Sequence, residues 1–238
     1  MIKALIDGRK TQTRRIIKPQ PASFTPNVID IHAPFFDEER EEWGQIETIW
    51  STPSFDSPRG EPMREEWRPL KLPARAGDRL WVRENFAIVP ATAYRMSDGV
   101  QQTVDPDDWD MAAIYAAGWE RSIPKWRPSI HMPRWASRLT LVVESVKVER
   151  LQDISEAAAV AEGCGLTGEQ IAINEELRLR PPPVHGDCWH LNTAIGNFIS
   201  TWCAIHGGID AWDANPFVAA ITFRAIKANI DSVEARNV

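Results

Sequence analysis

Apolar residues fall into periodic runs at only a few places along this chain. In MIKALIDG, Ile2, Leu5 and Ile6 share one helical face, and Gly8 marks the stop. RAGDRLWVRENFAIV opens on a Gly77-Asp78 turn, then alternates Leu80 and Val82 with Arg79, Trp81 and Arg83, which predicts a central strand. LTLVVESVKVERL alternates throughout and is rich in β-branched residues, the clearest strand of the chain. DISEAAAVAEGCG follows as a helix in which Ser155 caps the start, alanines fill the middle and Glu162 falls near the end, before Gly163. LNTAIGNFISTWCAIHG repeats at a helical period and turns Leu191, Ile195, Phe198, Ile199 and Trp202 inward. NPFVAAITFRAIK is a closing strand, ahead of a loose tail.

Three stretches without sustained period read as insertions, at about residues 19–73, 97–125 and 165–188. The first is rich in proline and carries the acidic run DEEREE; the third holds a charged helical piece, EQIAINEELRLR. After the second, AAIYAAGWERSIPKWRPSIHMPRWASR is interrupted by Pro124, Pro128 and Pro133, which block a continuous helix and predict an ordered, extended loop. Strands separated by non-repeating helices suggest an α+β barrel, one domain over residues 1–228 with a tail at 229–238.

A hydrophobic fraction of 43% and a charged fraction of 25% belong to a folded chain rather than a disordered one. The net charge of −6 argues against a general nucleic-acid coat protein, yet DGRKTQTRRIIKPQP gathers Arg9, Lys10, Arg14, Arg15 and Lys18 with no acid after Asp7. Bulk charge therefore says less than this local knot. Cys164, Cys188 and Cys203 are too few for a secreted disulfide framework, and no apolar run approaches the ~18 residues of a membrane span, so a cytoplasmic protein with no membrane partner is expected. Eleven tryptophans beside two tyrosines leave core packing and base stacking both open.

Taken together, GRKTQTRR after a short helix, AGDRLWVRE as turn and strand, LTLVVESVKVERLQDISEAAAVAEG as strand and helix, and NPFVAAITFRAI as last strand resemble the ASCH domain family. WRPSIHMPRWASRLTL and AWDANPFV resemble ASCH-type proteins of bacteriophages and prophages more closely. The resemblance implies a PUA-like β-barrel with flanking helices and long loop insertions. Family members usually place a strand before the first helix, and this chain starts within that helix, which leaves closure of the barrel at that edge open. Some members are amidohydrolases that cleave N4-acylated cytidine, and a ribonuclease, the less favoured activity here, also belongs to the family. Carried over, the amidohydrolase residues fall on Lys10, on Thr13 as nucleophile and on Glu162. No cofactor and no metal are implied.

Chemistry sets conditions on that trio. A threonine hydroxyl needs a base, and a lysine serves only when it can release its proton. Positions i and i+3 share a face in a helical turn and oppose each other in a strand, so Lys10 and Thr13 need a turn after Gly8 to act together. A blander role, phosphate binding or helix capping by Arg9, Lys10, Thr11 and Thr13, stays open, as does a solvated Glu162. Arg14 and Arg15 extend the same basic face. From Arg121 to Arg138 further cations, among them Arg127, His131 and Arg134, alternate with Trp126 and Trp135, a pattern suited to a modified nucleoside, a nucleotide or single-stranded RNA. Packing of those tryptophans under the loop is the even alternative. Glu84, at a strand end, either pairs with Arg14 or Arg15 or accepts from a cytosine amino group. His185, Cys188 and His190, with Cys203 and His206 beyond, lack a standard zinc spacing. A non-catalytic RNA- or nucleotide-binding module and a phage host-interaction protein are the competing functions.

Overall fold

The computed structural model describes residues 1–18, 20, 72–121, 124–179 and 192–234, together with five short strands within residues 29–69. Helix α1 (Ile2–Ile6) buries Ala4 and Leu5, and Gly8, at φ 71°, takes the left-handed conformation that ends it. Strand β1 (Gln12–Ile16) follows. The short strands β2 (Ile29–Asp30), β3 (Phe36–Asp37), β4 (Glu42–Trp43), β5 (Ile49–Ser51) and β6 (Trp67–Pro69) pair among themselves, as β2-β5-β6 and β3-β4. Then come β7 (Arg79–Trp81), β8 (Phe86–Pro90), β9 (Gln102–Val104), β10 (Met111–Tyr115) and the long β11 (Thr140–Arg150). Helix α2 (Glu156–Ala159) runs into a π-helical turn at Val160–Cys164, followed by α3 (Gly168–Leu179), α4 (Ala194–His206), α5 (Asp210–Asp213), strand β12 (Phe217–Ile226) and α6 (Ile230–Glu234).

The main sheet is antiparallel throughout, in the order β1-β12-β11-β7, and curls into a half-barrel of a mixed α+β fold. Strand β12 is the last in sequence but lies inside the sheet. Its Phe217, Ala219, Ile221 and Phe223 pack with Leu5, Ile17, Leu139 and Val143 on the concave side. On the opposite side Val218 meets Leu151, Ala159, Phe198 and Trp202 from the helical layer. Burial on both faces explains why this strand reads as a nearly unbroken apolar run. A register shift between Val143 and Ser145 marks a bulge that bends β11 around the barrel.

Several expectations hold and several do not. The long strand, the Ser155 cap and the α4 period match the sequence: Ser155 Oγ accepts from Ala158 N, and Phe198 and Trp202 are buried. Leu191 lies outside the described residues. The RLWV strand, expected to be central, is a three-residue edge strand, β7, because its pairing with β11 ends at Trp81. MAAIY, read as loop or insertion, is β10, the middle strand of a second sheet, β8-β10-β9. Ala112 to Tyr115 are all buried, so no alternation betrays the strand. The tail is not loose at its start: Ile230 is buried, and Asn229 Nδ2 donates to the carbonyls of Arg134, Trp135 and Ser137. Pro128 and Pro133 each precede a single 3-10 turn, at Ser129–His131 and Arg134–Ala136, within an otherwise extended segment. Among the described residues no helix is long and apolar enough to cross a membrane.

Candidate functional site

The segment after Gly8 is neither helix nor strand until Gln12. Lys10 N donates to Ala4 O and Thr11 N to Ala161 O, which ties the segment to α1 and to the π-helical turn. That turn brings Glu162 over Lys10. Gly163, at φ 85°, sits so close that an added Cβ would lie 3.3 Å from the Cβ atoms of both Ala4 and Lys10. A residue with a side chain meets two obstacles there, the left-handed backbone and the contact. The Lys10 ammonium is buried and donates to Glu162 Oε2 at 2.6 Å, Glu162 O at 2.8 Å and Gln12 O at 2.9 Å. Three acceptors use all three of its hydrogens.

Strand alternation then sorts the basic run by face. Gln12 and Arg14 turn toward the helical layer, where Arg14 Nη2 meets Glu149 Oε1 at 2.6 Å and Arg14 Nη1 meets Glu162 Oε1 at 3.2 Å. Arg14 Nη1 also donates to Gln12 Oε1, and Gln12 Nε2 to Thr222 Oγ1. Arg14 is 5% exposed, which removes it from any phosphate contact at the surface. Thr13 and Arg15 turn the other way, into a cleft of about 900 Å³ on the concave side of the half-barrel. Lys10, Thr13, Arg15, Trp81, Arg83 and Phe223 line it; so do Arg79 and Arg134, and no described lining residue is acidic. The Arg83 guanidinium lies 4.6 Å from the Trp81 ring centre. Thr13 thus shares the cleft with Lys10, but among the described residues no hydrogen bond joins its hydroxyl to Lys10 or Glu162.

The remaining candidates scatter. Arg9 is exposed and pairs with Asp7 at 2.9 Å. Thr11 is exposed, and its carbonyl accepts from Phe223 N in line with the β1–β12 pairing. Glu84 is buried and holds Arg138 at 2.8 and 2.9 Å rather than Arg14 or Arg15. Arg127 pairs through its backbone with Phe86 and leaves its side chain exposed. His131 is exposed in its 3-10 turn. Arg134 pairs with Asp231 at 2.7 Å at the cleft rim. Trp135 is half-buried against the core around Phe86 and Met132. Trp126 meets Trp119 edge-on at 5.6 Å, and Trp119 meets Tyr94 at 5.0 Å, so these rings pack on one another.

His185, Cys188 and His190 lie outside the described residues, and among the described residues no group of three or more His, Cys, Asp or Glu side chains is placed to hold a metal. Burial pushes the Cys164 thiol up, and burial together with Arg15 and Lys18 lowers the His206 imidazole. Sequence reasoning missed Glu149. It is one charge among several in an alternating strand, and only the fold places it beside Arg14. Compared with models of protein families, with curated proteins and with solved structures, the chain matches none.

Proposed function

We propose that the chain is an ASCH-type protein with a PUA-like barrel that takes a modified cytidine into the concave cleft and hydrolyses its N4-acyl bond. One observation carries this: Lys10 and Glu162, chosen from positions 152 apart, meet at 2.6 Å at the edge of the cleft that Thr13 lines. An apolar wall with Trp81 and Phe223 suits a base, and the surrounding arginines suit a phosphate. The curled antiparallel sheet is compatible with the barrel this reading requires.

The chemistry follows from the contact. A proton passing from the Lys10 ammonium to the Glu162 carboxylate leaves a neutral amine and a neutral acid. Lys10 then takes the Thr13 proton as Thr13 Oγ1 attacks the acyl carbon, and the C–N bond breaks. Glu162 returns its proton to the departing cytosine amine. Water then attacks the acyl-threonine ester, giving the carboxylic acid and restoring Thr13. For this Lys10 must exchange one of its three acceptors for Thr13, a rotation of its terminal bond.

The same saturation of Lys10 favours a second reading, a module that binds nucleotide or RNA without chemistry. Incubation with N4-acetylcytidine, followed by release of cytidine, separates the two. Turnover in the native chain and loss of at least about a hundredfold in Thr13→Ala is expected for the hydrolase. Binding of cytidine nucleotides without turnover, weakened by salt, is the outcome of the module.

A further inference from the structure

Arg14 faces away from the cleft and yet touches the carboxylate that Lys10 depends on. The contacts form a chain of alternating sign. Lys10 to Glu162 is 2.6 Å, Glu162 to Arg14 is 3.2 Å, Arg14 to Glu149 is 2.6 Å, and Glu149 to Lys147 is 2.9 Å. The first four groups are buried, and Lys147, 71% exposed, is the end in solvent. Each Glu162 oxygen has its own cation: Oε2 has Lys10 and Oε1 has Arg14. Glu149 draws the guanidinium the other way and makes the shorter bond.

We propose that Arg14 and Glu149 form a positioning pair: Arg14 fixes the plane of the Glu162 carboxylate so that Oε2 faces Lys10, and Glu149 keeps Arg14 from neutralising that carboxylate fully. The inference rests on the hydrolase reading, in which Glu162 must receive and return a proton. It gives Arg14 a role distinct from Arg15, its neighbour on the cleft face. Charge also travels along the chain. Losing the cation at position 14 favours the protonated Lys10, and losing the anion at 149 disfavours it. The charged and titratable groups facing the pair from the packed elements include the Cys164 thiol in the same π-helical turn, within electrostatic reach of Lys10, Glu162 and the amino terminus, and Arg15 and Met1 across the cleft.

The test compares Arg14→Gln, Glu149→Gln and Arg15→Gln with the native chain on N4-acetylcytidine across pH. For Arg14→Gln, kcat falls at least about tenfold while KM stays within about twofold, and for Arg15→Gln the change is chiefly in KM. The acid limb of the kcat profile moves to higher pH in Arg14→Gln and to lower pH in Glu149→Gln. A purely structural pair moves neither limb, or both the same way, and that result overturns the proposal. So does a rise in KM with kcat kept in Arg14→Gln. If the native chain shows no turnover, the hydrolase reading fails by itself. The pair is then read without substrate, from the pH titration of the Lys10 Cε signal by ¹³C NMR: opposite displacements in the two variants support it, equal or absent ones overturn it. Should the single variants not fold, Arg14→Gln/Glu149→Gln removes one charge of each sign. It is expected to fold with the Lys10 titration displaced to higher pH, because Arg14 touches Lys10's own partner while Glu149 lies one contact further along and its opposing effect is weaker, and a displacement to lower pH or none overturns the pair.

Discussion

Among the described residues two buried charge clusters stand in contrast, and they are built on different plans. Beside the second sheet Glu84 and Arg138, each in a segment between strands, form a closed pair, both carboxylate oxygens on one guanidinium, with Gln101 on Arg138 Nη1 and the Tyr115 ring 4.1 Å from the Arg138 guanidinium carbon. Both charges there are neutralised within the pair, and Gln101 adds an uncharged acceptor. Beneath the main sheet, by contrast, Lys10, Glu162, Arg14 and Glu149 share partners, and no carboxylate belongs to one cation. A closed bidentate pair fixes geometry and resists change. A shared chain lets a charge lost at one member be felt at the next, and here its first member lines the cleft. Burial alone therefore does not distinguish an anchor from a site; the distribution of partners does.

The largest expected effect breaks the anchor. Glu84→Ala leaves the Arg138 charge buried without its carboxylate and is expected to cost about 3–5 kcal/mol in urea unfolding. Glu149→Ala leaves Arg14 with Glu162 and Gln12 and is expected to cost less, about 1–3 kcal/mol. Equal losses would erase the distinction between closed and shared clusters.

Next in size is a pH effect confined to the closed cluster. Burial pushes the Tyr115 phenol up to about 12, against the lowering influence of its Thr103 hydrogen bond and of Arg138. The unfolded phenol ionises near pH 10, so between the two values the unfolded chain holds fewer protons than the folded one. The contribution of the buried neutral phenol is fully present below pH 10 and is lost as pH rises toward 12, on the order of 2 kcal/mol. With Tyr94→Phe removing the other tyrosine, absorbance at alkaline pH isolates the group, and an ordinary phenol titration would contradict the burial.

The smallest effect sharpens the shared cluster. Gly163→Ala adds a methyl where φ is 85° and the Cβ atoms of Ala4 and Lys10 stand 3.3 Å away, at an expected cost of about 1–2 kcal/mol in thermal unfolding. The added methyl presses directly on the Lys10 stem, so the Lys10–Glu162 contact is expected to lengthen. A variant of native stability and unchanged Lys10 NMR signals would show that the turn does not set the contact.

Local signals in the chain carried much of this picture. Ser155, the β-branched alternation of residues 140–150 and the apolar stripe of 194–206 have causes within a few residues, and their elements stand as read. Gly8 and Gly163 announce the two turns that frame Lys10 and Glu162. Where the cause is distant, the sequence misleads. Ala112 to Tyr115 lose their alternation because both faces are covered, and Ile230 looks like tail until Asn229 is seen holding three carbonyls.

The division at the site is sharper. Sequence alone determined that a basic run follows a helix stop and that an acid precedes a glycine at a helix end; that the run enters a strand at Gln12 came from the structure. Only the tertiary structure decided which cations of that run are buried and which line the cleft, because strand register against β12 and the layer of helices behind it set the two environments. It also chose the partners, Glu149 for Arg14 and Arg138 for Glu84, since ion pairing depends on distance through space, to which separation along the chain is no guide.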